Sequence, residues 1–381
     1  MLNIGVIGYG YRMNHMVRQM LKTGKVHLSA VMDIDNDKSK ELYLSDEECR
    51  DIHFYDDAEE MLKSEKLDGI CIGTRCHMHT HYAVMAAKYN IPMFLEKPVG
   101  ICDEDIELLK GILHLNDKIV VSFPLRTSRI VTYVKELLDA DKIGKVAHVQ
   151  AYNNVPYGRG YYHKWHRDES LTGGLFLQKA THDLDYINYL VGDDKPVRIC
   201  AMKSKQVYKG DKPAGLYCSK CEDADTCPES PENVAKSVPG HIAVDWPCCF
   251  AVDTGNEDSG SAMVEYESGM HVVYSQNFIA KHGAAKRGAR LIGAKGTVEF
   301  DWYQEQVTFF NHMENVVETH KFNNVQGTHF GGDAKLVDNF INVMLGKEKS
   351  RATLEQGILS AHMCILCKRS AEERKFLDIE F

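Results

Sequence analysis

The start of the chain constrains the fold most. An apolar run, Leu2 to Ile7, leads through Gly8-Tyr9-Gly10 into a stretch whose apolar residues Met13, Met16, Val17, Met20 and Leu21 recur at helical spacing, closed by Gly24. A strand that turns through glycines into a helix opens a parallel βα sheet. Such a turn lets the backbone approach a pyrophosphate, and the helix N-terminus offers free N–H groups and the positive end of its dipole. A second strand, His27 to Met32, ends in Asp33. A carboxylate about 20 residues beyond the glycines can accept both ribose hydroxyls and repels a 2′-phosphate, which favours NAD over NADP. Met13 stands where the motif asks for a small residue, and that departure weakens it.

The βα texture continues to about residue 125. Ile70–Ile72, Ile91–Leu95 and Lys118–Phe123 read as strands, with helices near 79–89 and 103–115. A linking helix carries Ile130, Val134, Leu137 and Leu138 on one face. From Val146 the period changes to two, predicting strands at Val146–Tyr152, Val197–Met202, Gly260–Tyr266, Met270–Asn277, Ala289–Gly293, Gly296–Phe300 and Gln306–Asn311, then helices at Asp333–Met344 and Leu354–Glu373. The expected architecture is an α/β Rossmann domain over 1–125 and an α+β domain with an open, mainly antiparallel sheet over 126–381, interrupted by an irregular insertion at 203–259. An open sheet face implies a homo-oligomer, a dimer or tetramer.

A length of 381 residues suits two domains, and 44% hydrophobic with 26% charged residues is ordinary for a globular chain. The net charge of −9 argues against a nucleic-acid binder. No apolar run reaches the ~18 residues of a membrane span. The first residues lack the uninterrupted apolar core of an export signal, so the expectation is a cytoplasmic protein with its 12 cysteines mostly reduced. Cys218, Cys221 and Cys227, with Cys248 or Cys249, have knuckle-like spacing, and a metal knuckle, a reduced thiol loop and a disulfide all remain open. No metal is expected in the chemistry.

Phe94-Leu95-Glu96-Lys97-Pro98 ends a strand at the carboxyl edge of the sheet, where ligands bind in such folds. With this segment, the chain resembles the glucose-fructose oxidoreductase / inositol dehydrogenase (Gfo/Idh/MocA) family. The likeness rests on Gly8-Tyr9-Gly10, Asp33, Thr74 with His79, Glu96-Lys97-Pro98, Gly173-Gly174 followed by His182 and Asp185, and Gly331-Gly332-Asp333. It implies an NAD-dependent oxidoreductase whose Lys97 lies beside the nicotinamide and contacts the reacting hydroxyl. The cofactor-facing set is then Gly8, Tyr9, Gly10, Tyr11, Arg12, Asp33, Thr74, His79, Glu96, Lys97 and Arg126. A lysine serves as a base near neutral pH only if its pKa falls, and burial beside a cationic ring would lower it.

Gln178 and Lys179 precede His182 by four and three residues, so at helical spacing the three share a face. Many family members carry an Asp at the position of Gln178. An amide cannot take a proton, which leaves proton transfer to Lys97 and His182, with Lys179 as a substrate ligand or third acid/base group. Tyr161-Tyr162-His163-Lys164-Trp165-His166-Arg167 offers an aromatic face and several donors for a polyol. The expected substrate contacts are Lys97, Arg126, Trp165, His166, Gln178, Lys179 and His182, with His329 closing the pocket. This set, with no new carboxylate beyond Asp185, points to a small neutral ring-shaped carbohydrate oxidised at a secondary, C3-type hydroxyl. A glycosidase acting through transient oxidation at C3 and a non-catalytic sugar or NAD sensor are the alternatives.

Overall fold

The computed structural model of the chain describes residues 1–238, 243–323 and 328–380. Its first half is a six-stranded parallel sheet of β1 (Leu2–Ile7), β2 (Val26–Met32), β3 (His53–Tyr55), β4 (Gly69–Ile72), β5 (Met93–Leu95) and β6 (Ile119–Val121). The spatial order is β3-β2-β1-β4-β5-β6, so strand order reverses between β1 and β4. Ligands of such sheets bind outside the carboxyl ends at that point. Strand β3 escaped the sequence reading because three partly exposed residues show no periodicity. Helix α1 (Tyr11–Lys22) buries Met13, Met16, Val17 and Met20 against the sheet, and α2 (Asp103–Lys110) buries Ile106 and Leu109.

Beyond α3 (Arg129–Asp139) lies a nine-stranded sheet: β7 (Val146–Asn154), β8 (Pro196–Ser204), β9 (Ser259–Tyr266), β10 (His271–Asn277), β11 (Lys286–Gly293), β12 (Gly296–Asp301), β13 (Gln306–Asn311), β14 (Val316–Lys321) and β15 (Leu377–Asp378). Its order is β14-β13-β12-β11-β7-β10-β9-β8-β15; β7 and β10 run parallel and the other pairs antiparallel. Burial alternates along it, with Ala262, Val264, Val272 and Tyr274 inward and Met263 and Val273 outward. β14 is exposed along its length and β15 has two residues, so neither carried an apolar signal.

Helix α4 (Thr181–Val191) and the C-terminal helices α5 (Gly332–Met344) and α6 (Leu354–Glu373) join the two sheets. Gly69 of β4 lies against Phe340 and Met344 of α5, while Gly357 of α6 fits against Val99 and Val121. Helix α6 also packs on β8, so its apolar residues are needed on all sides rather than on one stripe. The last helices of the chain therefore complete the core of its first sheet.

The insertion at 203–259 holds short turns and a helix, Pro231–Ser237, over a small satellite core of Val155, Tyr162, Leu175, Tyr208, Cys249 and Phe278. Cys218, Cys221, Cys227 and Cys248 line one cavity there with His163, and every cysteine is free. Among the described residues no three Cys, His, Asp or Glu side chains stand ready to hold a metal ion. No helix among them is long and apolar enough to cross a membrane.

Candidate active site

The turn after β1 is built for close backbone approach. Gly8 has φ +82°, and a Cβ there would sit 2.7 Å from the Thr74 backbone nitrogen, so no side chain fits. Gly10 caps α1 without a side-chain hydrogen bond, and nothing lies within 4 Å of where its Cβ would be. The first turn of the helix therefore has no side-chain cap on its N–H groups. The Tyr9 N–H donates to Asp33 Oδ2 at 2.7 Å, which fixes the carboxylate at the rim of the turn. Its ring is fully buried, with Asn14 Nδ2 donating to the hydroxyl at 3.0 Å, so the Tyr9 side chain is turned into the core. Tyr11 (79% exposed) and Ile34 (92% exposed) flank the turn. Ile34 was missed in the sequence, although an apolar residue directly after a strand-end acid was its signal.

Met13 fits because the small residue has changed sides. A Cβ on Gly73, at the end of β4, would lie 2.7 Å from Met13 Cε, so the glycine of the strand accommodates the methionine of the helix. These features suit a dinucleotide. Gly8, Gly10 and the N-terminus of α1 would take the pyrophosphate, and Asp33 the ribose.

Three residues expected to face the cofactor are spent elsewhere. Arg12 donates to Asp333 at 2.6 and 2.9 Å and to Glu96 Oε1 at 3.2 Å, joining α1, the Glu-Lys-Pro segment and α5. His79 is buried with its ring nitrogens 2.7 Å from the Pro98 carbonyl and 3.2 Å from that of Thr74. Arg126 is a correction for the substrate set too. Its buried guanidinium forms an ion pair with Asp185 (Nε to Oδ2, 3.0 Å) and also donates to the Arg351 carbonyl and Gln356. Every arm of it is thus paired inside the protein.

Lys97 follows β5, and its Nζ donates to the Gln178 carbonyl at 3.0 Å. Burial, then repulsion from Lys179, pushes its pKa down to about 8. Gln178 and Lys179 lie in a π-turn, Phe176–Ala180, ahead of α4, and this wider turn parts side chains that a regular helix would align. Gln178 Nε2 points to Cys76 Sγ at 3.0 Å, whereas Lys179 Nζ donates to the Tyr157 hydroxyl at 2.9 Å. His182 is buried, its Nδ1 lacks a partner, and burial followed by the Lys97 charge holds its pKa well below the ordinary value. A buried, neutral imidazole with an orphan nitrogen is poised to bond a ligand. The His329 ring lies 5.9 Å from it, with Nδ1 3.0 Å from Asp333.

Trp165 stacks on His166 at 3.9 Å, and the Arg75 guanidinium lies 3.9 Å from the indole centroid. The indole is therefore already engaged by two neighbours instead of standing free as a platform. Burial and the charges of Lys97, Arg75 and Lys179 push His166 down to about 3. Tyr157 and Arg75 were both missed in the sequence. Tyr157 had one signal, an aromatic residue between Pro156 and Gly158 just beyond a strand.

Two family models match the chain: the NAD-binding Rossmann fold of an oxidoreductase family over residues 2–122, and the C-terminal alpha/beta domain of the same Gfo/Idh/MocA family over 135–379. The chain belongs to this family. The oxidoreductase is 26% identical over 366 residues to YteT of Bacillus subtilis (strain 168), covering 84% of each chain. It is 25% identical over 197 residues to myo-inositol 2-dehydrogenase of Thermotoga maritima, covering 51% of this chain and 56% of that one. The fold of levoglucosan dehydrogenase, solved with NADH and L-sorbose, superposes with a TM-score of 0.77 at 15% identity, covering 100% of this chain and 99% of that one. The cofactor of this oxidoreductase is NAD, and the cradle described above is where it fits.

Proposed function

We propose that the oxidoreductase oxidises a secondary hydroxyl of a sugar, glycoside or cyclitol, with Lys97 and His182 handling the hydroxyl proton. The observation that carries this is Lys97, drawn down to about 8 beside a buried neutral histidine at the sheet's carboxyl edge. When bound in the cradle, NAD would supply the hydride acceptor for this oxidation. The neutral amine of Lys97 takes the hydroxyl proton, and His182 bonds the same oxygen and fixes its direction. Gln178 contributes a carbonyl to hold Lys97, not a base. A relative named for myo-inositol supports a polyhydroxylated ring as substrate.

The test is NADH formation at 340 nm across free sugars, glycosides, cyclitols and their acids. Lys97→Met and His182→Ala should each lower kcat by about 10²–10⁴-fold with circular dichroism unchanged. Near-normal turnover in either variant removes that residue from the chemistry. Release of an aglycone without net NADH would instead indicate the glycosidase reaction.

A further inference from the structure

One cation of this crevice stands apart from its carboxylates. Four carboxylates approach it with three arginines among them, and none of the four is paired with Lys179. Glu96 and Asp333 receive Arg12, Asp183 receives Arg287 Nε at 2.8 Å, and Asp185 receives Arg126. Asp183 also accepts from Asn153 at 2.9 Å and from the Tyr274 hydroxyl at 2.8 Å. Asp185, the carboxylate that the sequence set near the pocket, is therefore consumed by Arg126.

Among the described residues, no carboxylate is paired with Lys179. This lysine is 9% exposed, its hydrogen-bond partner is the Tyr157 phenol, and its Nζ lies 4.5 Å and 5.1 Å from the ring centroids of Tyr157 and Tyr161. Lys97 bonds the peptide oxygen of the residue before it, so two ammonium groups share neutral acceptors, with Arg75 across Trp165 and His166. Buried ammonium groups are almost always paired. The pyrophosphate of NAD belongs at Gly8 and Gly10, in the turn after β1, whereas Tyr157 lies in the turn after β7. The missing anion then comes with the substrate.

We propose that the substrate is an acidic ring, a sugar or cyclitol bearing a carboxylate that Lys179 and Tyr157 receive. Because Lys179 donates to the phenol oxygen, the phenol hydrogen is free to donate to the incoming carboxylate. A single lysine with one phenol suits a monoanion; Arg287, the arginine whose charge reaches Lys179, is already paired with Asp183. The ring part of the proposal rests on the dehydrogenase reading, and the charge part does not.

The experiment compares glucuronate and galacturonate with glucose, galactose and their 6-phosphates, by NADH formation and by calorimetry on NAD-loaded protein. The expected result is a uronate preference over the neutral parent of about tenfold or more. In Lys179→Met the uronate-to-neutral ratio should fall about 10–100-fold, the size of a lost charge-assisted hydrogen bond. Lys179→Arg should keep most of the preference. Equal binding of neutral and acidic sugars, a preference for the phosphate esters, or an unchanged ratio in Lys179→Met overturns the proposal. If no sugar is oxidised, the dehydrogenase reading falls, while the calorimetric ratio still decides the charge preference.

Discussion

Lys97 sets how the reaction should respond to pH. Burial and the Lys179 charge lower its folded pKa from 10.5 to about 8, so the neutral, basic form grows as pH rises through that value. Oxidation, read as kcat/KM, should rise with pH through about 8 and then level off. In Lys179→Met a like charge is gone, and the inflection should move upward; a profile that stays put would show that the two ammonium groups do not feel each other. Asp33 makes a second expectation at this scale. Its carboxylate is steered by the Tyr9 N–H, so Asp33→Ala should weaken NAD about tenfold or more and relax discrimination against NADP, measured as the ratio of kcat/KM for the two cofactors. Both residues were legible in the sequence because each stands at a strand end, a position that local pattern reveals. Arg126 was not, because its partner Asp185 lies 59 residues away and only the packed chain shows that the two meet. Lys179 was legible as a polar residue on the right segment, but its phenol partner, which changes its role, was not.

Among the elements, the βα turn separates glycines that the sequence treats alike. Gly8 needs its left-handed φ and abuts the Thr74 backbone, so Gly8→Ala should lower both thermal stability and NAD affinity, with strain of about 1–2 kcal/mol before the clash. Gly10 lies in open space with an ordinary φ of −74°. Gly10→Ala should therefore leave the melting temperature nearly unchanged yet weaken NAD about tenfold or more, because the new methyl stands where the phosphates approach the backbone. Loss of fold in Gly10→Ala, or unchanged affinity, would overturn that account. Element boundaries were readable wherever an apolar period ran long enough: β13 and α6 fall at Gln306–Asn311 and Leu354–Glu373, as their patterns predict. The π-turn at Phe176–Ala180 was not readable, since it differs from an α-helix only in hydrogen-bond spacing.

On the scale of the whole molecule, one face of the nine-stranded sheet is covered by helices and the other is open. On the open face Cys200, Met263 and Val273 lie in register across β8, β9 and β10, and Met202 is 77% exposed on the same side. Met263 is 47% and Val273 39% exposed, an apolar row in the middle of a broad sheet surface. His148 stacks on His271 at 4.4 Å beside them, which extends the flat patch across β7. Such a row is costly to leave in water, and a second copy of the same sheet can cover it by two-fold symmetry. The chain should therefore be a dimer or tetramer in light scattering at micromolar concentration. Met263→Glu would place like charges opposite one another at the centre of that contact, because a two-fold interface brings each residue near its own copy. It should shift the mass toward monomer while leaving the Rossmann cradle, and hence NAD affinity, unchanged. A wild-type chain that already runs as a monomer would refute assembly through this face, and so would a Met263→Glu variant whose mass does not move.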